Sequence, residues 1–133
     1  MVFQCIWKKG QNPAYSGVLS KFLENVSSGK SPIIYGDGIQ AHDFIFIDHV
    51  AEVNLLTMNN DLSRKFINIG TGIKTSVMKL PKIIIEISNK DIKPIYVDAK
   101  EYDIRNSQTD IILSNELLKW SPKTKIEDWL KTI

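Results

Sequence analysis

The chain is poor in sulphur, in net charge and in long apolar runs, and each shortage removes a class of protein. Its single cysteine, Cys5, cannot close an internal disulfide, and nothing around it has metal-ligand spacing. With 17 Lys+Arg against 15 Asp+Glu the net charge is only +2, and the basic residues are scattered, so no phosphate-tracking nucleic-acid surface is expected. No apolar run approaches the roughly 20 residues that span a bilayer, and the first residues lack the apolar block of a secretory leader. A reduced, cytoplasmic protein without membrane or nucleic-acid partners is the expectation. Glycine is also sparse, at seven residues. The pair Gly70-Thr71-Gly72 lies where a dinucleotide fingerprint would, between an expected strand and helix, but Thr75 stands in place of the third glycine. Such a half-motif reads as a tight turn.

What the 133 residues do contain is a dense stretch over 33–50. Two short β-branched and aromatic runs, 32–35 and 44–47, flank a loop that opens with Gly36-Asp37-Gly38, where glycine lets the chain reverse with φ > 0. Asp48 stands at the N-cap position of an apolar-periodic helix reaching Met58. Val50, Val53, Leu55 and Leu56 give that helix two buried sides, and His49 falls on its surface. Tyr35, Asp37, Gln40, His42 and Asp43 place an aromatic beside polar groups, a mixture suited to a ligand with one flat face and one charged end.

Elsewhere the pattern alternates strand and helix, which defines an α/β fold. Residues 2–7 and 65–69 read as buried strands of a parallel sheet. Residues 18–28 form a helix with Val18, Leu19, Phe22, Leu23 and Val26 on one face and Gly29 at C′. Ser76 is the expected N-cap of a third helix carrying Val77, Leu80, Ile84 and Ile87, kinked or started late by Pro81. Pro94 marks 92–97 as an edge strand. Asp110 caps a helix to about Leu118, and 126–130 makes a short last one. Asp37 and Asp43 read as carboxylates that bond backbone amides. Tyr96 and Lys100 have the Tyr-x-x-x-Lys spelling of a proton-abstracting pair, which works only when a helix stacks i on i+4. In an extended chain they stand roughly 13 Å apart. No catalytic residue, nucleophile–base pair or metal cluster can be assembled.

Several runs together resemble the NAD-dependent epimerase/dehydratase family, the extended short-chain dehydrogenase/reductases acting on nucleotide sugars. They are Gln11-Asn12-Pro13 with Ser16-Gly17-Val18, then Ile34-Tyr35-Gly36-Asp37-Gly38 with Gln40 and Asp43-Phe44-Ile45. Asp103, Arg105, Asp110, Leu117-Leu118, Trp120 and Pro122 complete the match. The departures are Cys5 for a phosphate-contacting Asn, Lys8-Lys9-Gly10 for Gly-Pro-Arg, His42 for Arg and Lys119 for Gly. UDP-glucose 4-epimerase-like members fit best. The resemblance covers roughly residues 11–133 and implies the C-terminal portion of a Rossmann-like enzyme: a substrate-binding lobe plus a few Rossmann strands and helices.

As the resemblance has it, residues 1–133 form a single C-terminal substrate-binding region, and the NAD-binding half with its glycine loop and catalytic Tyr/Lys is absent. It implies substrate contacts at Gly17, Val18, Ile34, Tyr35, His42 and Arg105: Gly17 and Val18 at the nucleotide base, Ile34 and Tyr35 as its wall, His42 and Arg105 at phosphate. The ligand is a UDP- or dTDP-linked sugar. NAD serves the complete enzyme and is not bound by this chain, whose partner is an N-terminal half or another copy of itself. Alone, the chain is expected to be inactive. The alternatives are a non-enzymatic remnant or split-gene fragment that keeps the fold without binding, and a nucleotide-sugar dehydratase or reductase of the same family.

Overall fold

The computed structural model describes residues 4–6, 17–62, 64–101 and 103–132. Along the chain run β1 (Gln4–Ile6), α1 (Val18–Ser27), β2 (Ile33–Tyr35), β3 (Ala41–His42), β4 (Phe44–Phe46) and α2 (Ile47–Met58). There follow β5 (Thr75–Ser76), α3 (Lys79–Ser88), β6 (Ile95–Val97), α4 (Ile112–Leu118) and α5 (Ile126–Leu130). β1 pairs with β4, and β2 with β6, both in parallel; β3 and β5 pair antiparallel. Parallel neighbours need long crossovers, which the intervening helices supply.

The packing turns on β4. Phe44 and Phe46 point into a main core with Leu19, Phe22 and Val26 of α1, Ile34 of β2, Leu80 and Ile84 of α3, and Ile126 and Leu130 of α5. Ile45, between them, points the other way, into a second cluster with Val53, Leu118 and Trp120. Successive strand residues face opposite sides, so a strand apolar throughout is one buried on both faces. Helix α1 follows its stripe, from the Gly17 N-cap to Gly29, which takes φ +73° just past the end. The Lys90 ammonium donates to the Val26 and Ser27 carbonyls at 2.8 Å, placing a cation on the negative end of that helix.

Several sequence expectations need correction. Residues 65–69 form no strand: no described strand lies alongside them, although Ile67 and Ile69 still turn alternately toward the second cluster. The N-cap of α2 is Phe46, not Asp48, because the strand runs straight into the helix; Asp48 lies in the first turn, where its charge complements the helix dipole. Ser76 belongs to β5, and α3 begins only at Lys79, so Pro81 sits in the first turn, where its missing N–H has no intrahelical use. The late start expected from Pro81 is what the helix shows. Leu55 is 64% exposed, so α2 does not bury a second side there. His49 is not a surface residue: at 8% exposure its ring meets the edges of Phe46 and Trp120 at 5.8 and 5.9 Å. Its Nδ1 has no hydrogen-bond partner among the described residues. Asp110 precedes the N-cap by one residue, its Oδ1 accepting from the Ile112 N–H at 3.0 Å. Of the strand expected over 2–7, the ends lie outside the described residues, as do positions 8–10 and the run 11–16.

Lys119 closes α4 at φ +50°, a left-handed position that glycine occupies without steric cost. Lys119→Gly is therefore expected to raise stability by about 1 kcal/mol, read as a higher urea midpoint at unchanged slope; an unchanged or lower midpoint would contradict the account.

Candidate functional site

The turn after β2 is built by two glycines and one carboxylate. Gly36 and Gly38 take φ +67° and +71°, and Asp37 Oδ1 accepts the Ile39 N–H at 2.9 Å. A Cβ on Gly38 would meet Met78 and Ile34 at 2.8 and 2.9 Å, so the turn is pressed onto the core. This delivers Gln40 and β3 to the strand that follows. Gln40 Nε2 donates to the Tyr35 carbonyl at 2.8 Å and to Asp103 Oδ2 at 3.1 Å.

The segment around Arg105 is laid beside β3 by backbone bonds. The Ala41 N–H donates to the Arg105 carbonyl at 2.8 Å, the Ser107 N–H to the Ala41 carbonyl at 2.9 Å, and Asn106 bridges Ala41 in parallel. His42, one position on, is half-buried with its ring edge-on to Phe44 at 6.2 Å. Burial holds the His42 imidazole below its ordinary 6.5, an effect the Asp103 carboxylate partly offsets. Arg105 is exposed.

Tyr35 ends β2 as a residue 37% exposed, and the Lys100 ammonium lies over its ring, 4.1 Å from the centroid. Ile34 beside it is 0% exposed, so its side chain belongs to the core and the Tyr35 ring alone offers surface. Gly17 is exposed at the N-cap of α1, and Val18 packs half-buried against the core that holds Ile34. One loop cluster thus gathers Tyr35, Gln40, His42 and Arg105 with two residues the sequence reading did not assign to the site, Lys100 and Asp103. Lys100 left no signal in its own run: the parallel pairing of β2 with β6 carries the residues after Val97 back toward Tyr35. Tyr96, in β6, is extended, which rules out the helical i, i+4 stacking with Lys100.

Beneath the cluster lies the buried Asp43 carboxylate. It accepts from the Thr71 and Gly72 N–H groups, each at 2.9 Å, from the Thr109 N–H at 3.3 Å and from the Thr71 hydroxyl. A Cβ on Gly70 would collide with Thr109 and Asp43. The amides of Thr71 and Gly72 are committed to Asp43, so this glycine pair does not fit a cofactor pyrophosphate.

Among the described residues no group of His, Cys, Asp and Glu is arranged to hold a metal ion, and no helix is long and apolar enough to cross a membrane. The architecture is that of the C-terminal portion of an extended short-chain dehydrogenase epimerase. A UDP-glucose 4-epimerase from Thermotoga maritima, solved with UDP-glucose, superimposes with a TM-score of 0.87 and 34% identity, covering 97% of this chain and 42% of that one. The UDP-N-acetylglucosamine 4-epimerase of Methanobrevibacter ruminantium, in complex with UDP-N-acetylmuramic acid, gives 0.85 and 30% over the same shares. A curated relative in Methanocaldococcus jannaschii is 33% identical over 129 residues, 96% of this chain and 41% of the relative. A further solved relative, 25% identical, is in complex with UDP-glucose and NAD. Residues 8–70 match the model of the NAD dependent epimerase/dehydratase family. The chain is similar to members of that family along nearly its whole length, and it spans about two fifths of the length of these relatives.

Asp43→Ala leaves three backbone donors and a hydroxyl without their acceptor, so the expected cost is on the order of 3 kcal/mol. Chemical denaturation checks this; a loss below about 1 kcal/mol would mean that water or a neighbour takes over the carboxylate's place.

Proposed function

We propose that this chain is the nucleotide-sugar-binding portion of an NAD-dependent sugar epimerase or dehydratase, similar to the UDP-glucose 4-epimerases. The observation that carries the reading is the Ala41–Asn106 bridge, which sets Arg105 across from Gln40, on the segment that follows the Tyr35 turn and also carries His42. In this reading the Tyr35 ring takes the flat face of a uracil or thymine base, with Gly17 and Val18 at the start of α1 closing the base site. Arg105 takes the diphosphate, which its planar fork suits, Lys100 adds a second cation, and His42 stands at phosphate. The hydride chemistry belongs to NAD held by the remainder of a complete enzyme, encoded with this chain or apart from it. The residues described here bind and orient the nucleotide. The rival reading, a remnant that keeps the fold without binding, draws on one observation: His42, in the place of the family's arginine, is held toward its neutral form.

Calorimetry with UDP-glucose separates the two. Binding by the wild-type chain that weakens in Arg105→Ala is the expected result. A charge-assisted hydrogen bond contributes about 1.5–3 kcal/mol, so the loss is roughly 10- to 150-fold. No binding by wild type, or equal affinity in both, would favour the remnant.

The pH dependence tests His42. An anion beside it raises its pKa, so binding takes up a proton and affinity grows as pH falls through the window between the bound value and the lower value of the unliganded fold. The unliganded fold responds with the opposite sign. The unfolded chain protonates His42 near 6.5 and the folded chain only lower, so its contribution to stability falls through that window and levels off below the folded value. His42→Arg should tighten binding at neutral pH and flatten the profile. Equal affinity of both versions at about pH 5.5 and 8 would place His42 outside the site.

A further inference from the structure

His49 is a buried titratable group that takes no part in the proposed nucleotide site. It lies in the first turn of α2, 8% exposed, with the Phe46 and Trp120 rings against it at 5.8 and 5.9 Å. Its Nδ1 is without a partner among the described residues. Three residues on stands the half-buried Glu52, a helical spacing that puts the two Cβ atoms roughly 5–6 Å apart. The Glu52 carboxylate is engaged elsewhere: Oε2 accepts the Trp120 Nε1–H at 3.0 Å, and Oε1 accepts from the Lys123 ammonium at 3.3 Å. The indole bond and then Lys123 hold the Glu52 carboxyl below its ordinary range, with a smaller contribution from His49 itself. The other charged groups on the elements around the ring, Asp48, Glu116, Lys119 and Lys123, are all exposed, and β4 carries none.

A neutral imidazole donates from one nitrogen, an imidazolium from both. Charging His49 therefore creates a buried N–H without an acceptor, which is costly unless one is supplied. Glu52 can supply it: it lies on the same flank of α2 and stays ionised throughout the range in which an imidazole titrates. We propose that Glu52 exchanges partners when His49 is protonated, leaving the Trp120 indole for the imidazolium. Trp120 follows Lys119, the left-handed residue that closes α4, so the indole–carboxylate bond is a polar tie from the end of α4 to α2. Acid unfastens that tie. The fold thus carries a pH-sensitive latch on the side of β4 that faces away from the main core.

The test follows the Trp120 indole N–H of the full chain by heteronuclear NMR, with the resonance identified by its loss in Trp120→Phe, while the His49 imidazole is titrated. In wild type the indole resonance should shift upfield in one transition that shares its midpoint with His49. Losing one charge-assisted hydrogen bond should cut the protection of that N–H against solvent exchange about 10-fold or more between about pH 8 and 5.5. His49→Gln, which cannot be charged, should abolish the transition. Glu52→Gln should abolish it too, because its amide oxygen still accepts from the indole but has no charge for the imidazolium to attract. This second variant alters a half-buried position and remains informative where His49→Gln fails to fold. An indole N–H that ignores pH across this range would overturn the exchange, and so would a transition that survives in either variant.

Discussion

The Asp43 carboxylate is the interaction on which the arrangement of the loops depends. It stands between β3 and β4, and its acceptors gather the amides of Thr71, Gly72 and Thr109, from two segments distant in sequence. Those segments lack strands of their own to hold them, so a buried charge with satisfied oxygens does what a ladder would do elsewhere. The arrangement also constrains its neighbours. Gly70 has no room for a side chain, and Gln108 Nε2 reaches back to the Gly72 carbonyl at 2.6 Å. The chain that lies beside Ala41 at Arg105 and Asn106 is tied into this knot three residues later, at Thr109.

The parts of the fold set by local chemistry were readable in the sequence. The stripe of α1, the glycine turn after β2, the delayed start of α3 at Pro81 and the edge character of β6 each follow from residues whose conformational preference is intrinsic. The amide-binding role of Asp37 and Asp43 was readable for the same reason. What local chemistry does not decide was misread. Residues 65–69 have the alternation of a strand, but a strand is a relation between two segments, and no described one adjoins them. Asp48 and Ser76 are good capping residues at positions where the chain enters its helices from the preceding element in another way. His49 was read from composition as a surface residue, whereas β4 fixes the rotation of α2 and turns its ring toward Trp120.

The candidate site divides along the same line. Tyr35, His42 and Arg105 were named as candidates because they sit in recognisable runs, and the bridge of Ala41 with Asn106 sets Arg105 across from Gln40. Lys100 could not be named from its own run, where its spacing from Tyr96 suggested a different and unrelated pairing. Its neighbour across space is set by the register of β2 on β6, a property of two segments some 60 residues apart. Ile34 shows the converse: adjacent to Tyr35 in the chain, it faces the opposite side of the strand and is sealed in the core.

Because Phe44 and Phe46 anchor one apolar cluster while Ile45 anchors the other, the two clusters share a backbone rather than merely touching. Opening either one strips a face from the same three residues, so neither can melt while the other persists. The amide hydrogens of β4 should accordingly exchange with solvent only through global unfolding, and the two halves of the interior form one cooperative unit rather than separate foldons. Sequence drift on either side of the strand is then felt by both, which ties the helical packing around α1 and α3 to the surroundings of Trp120.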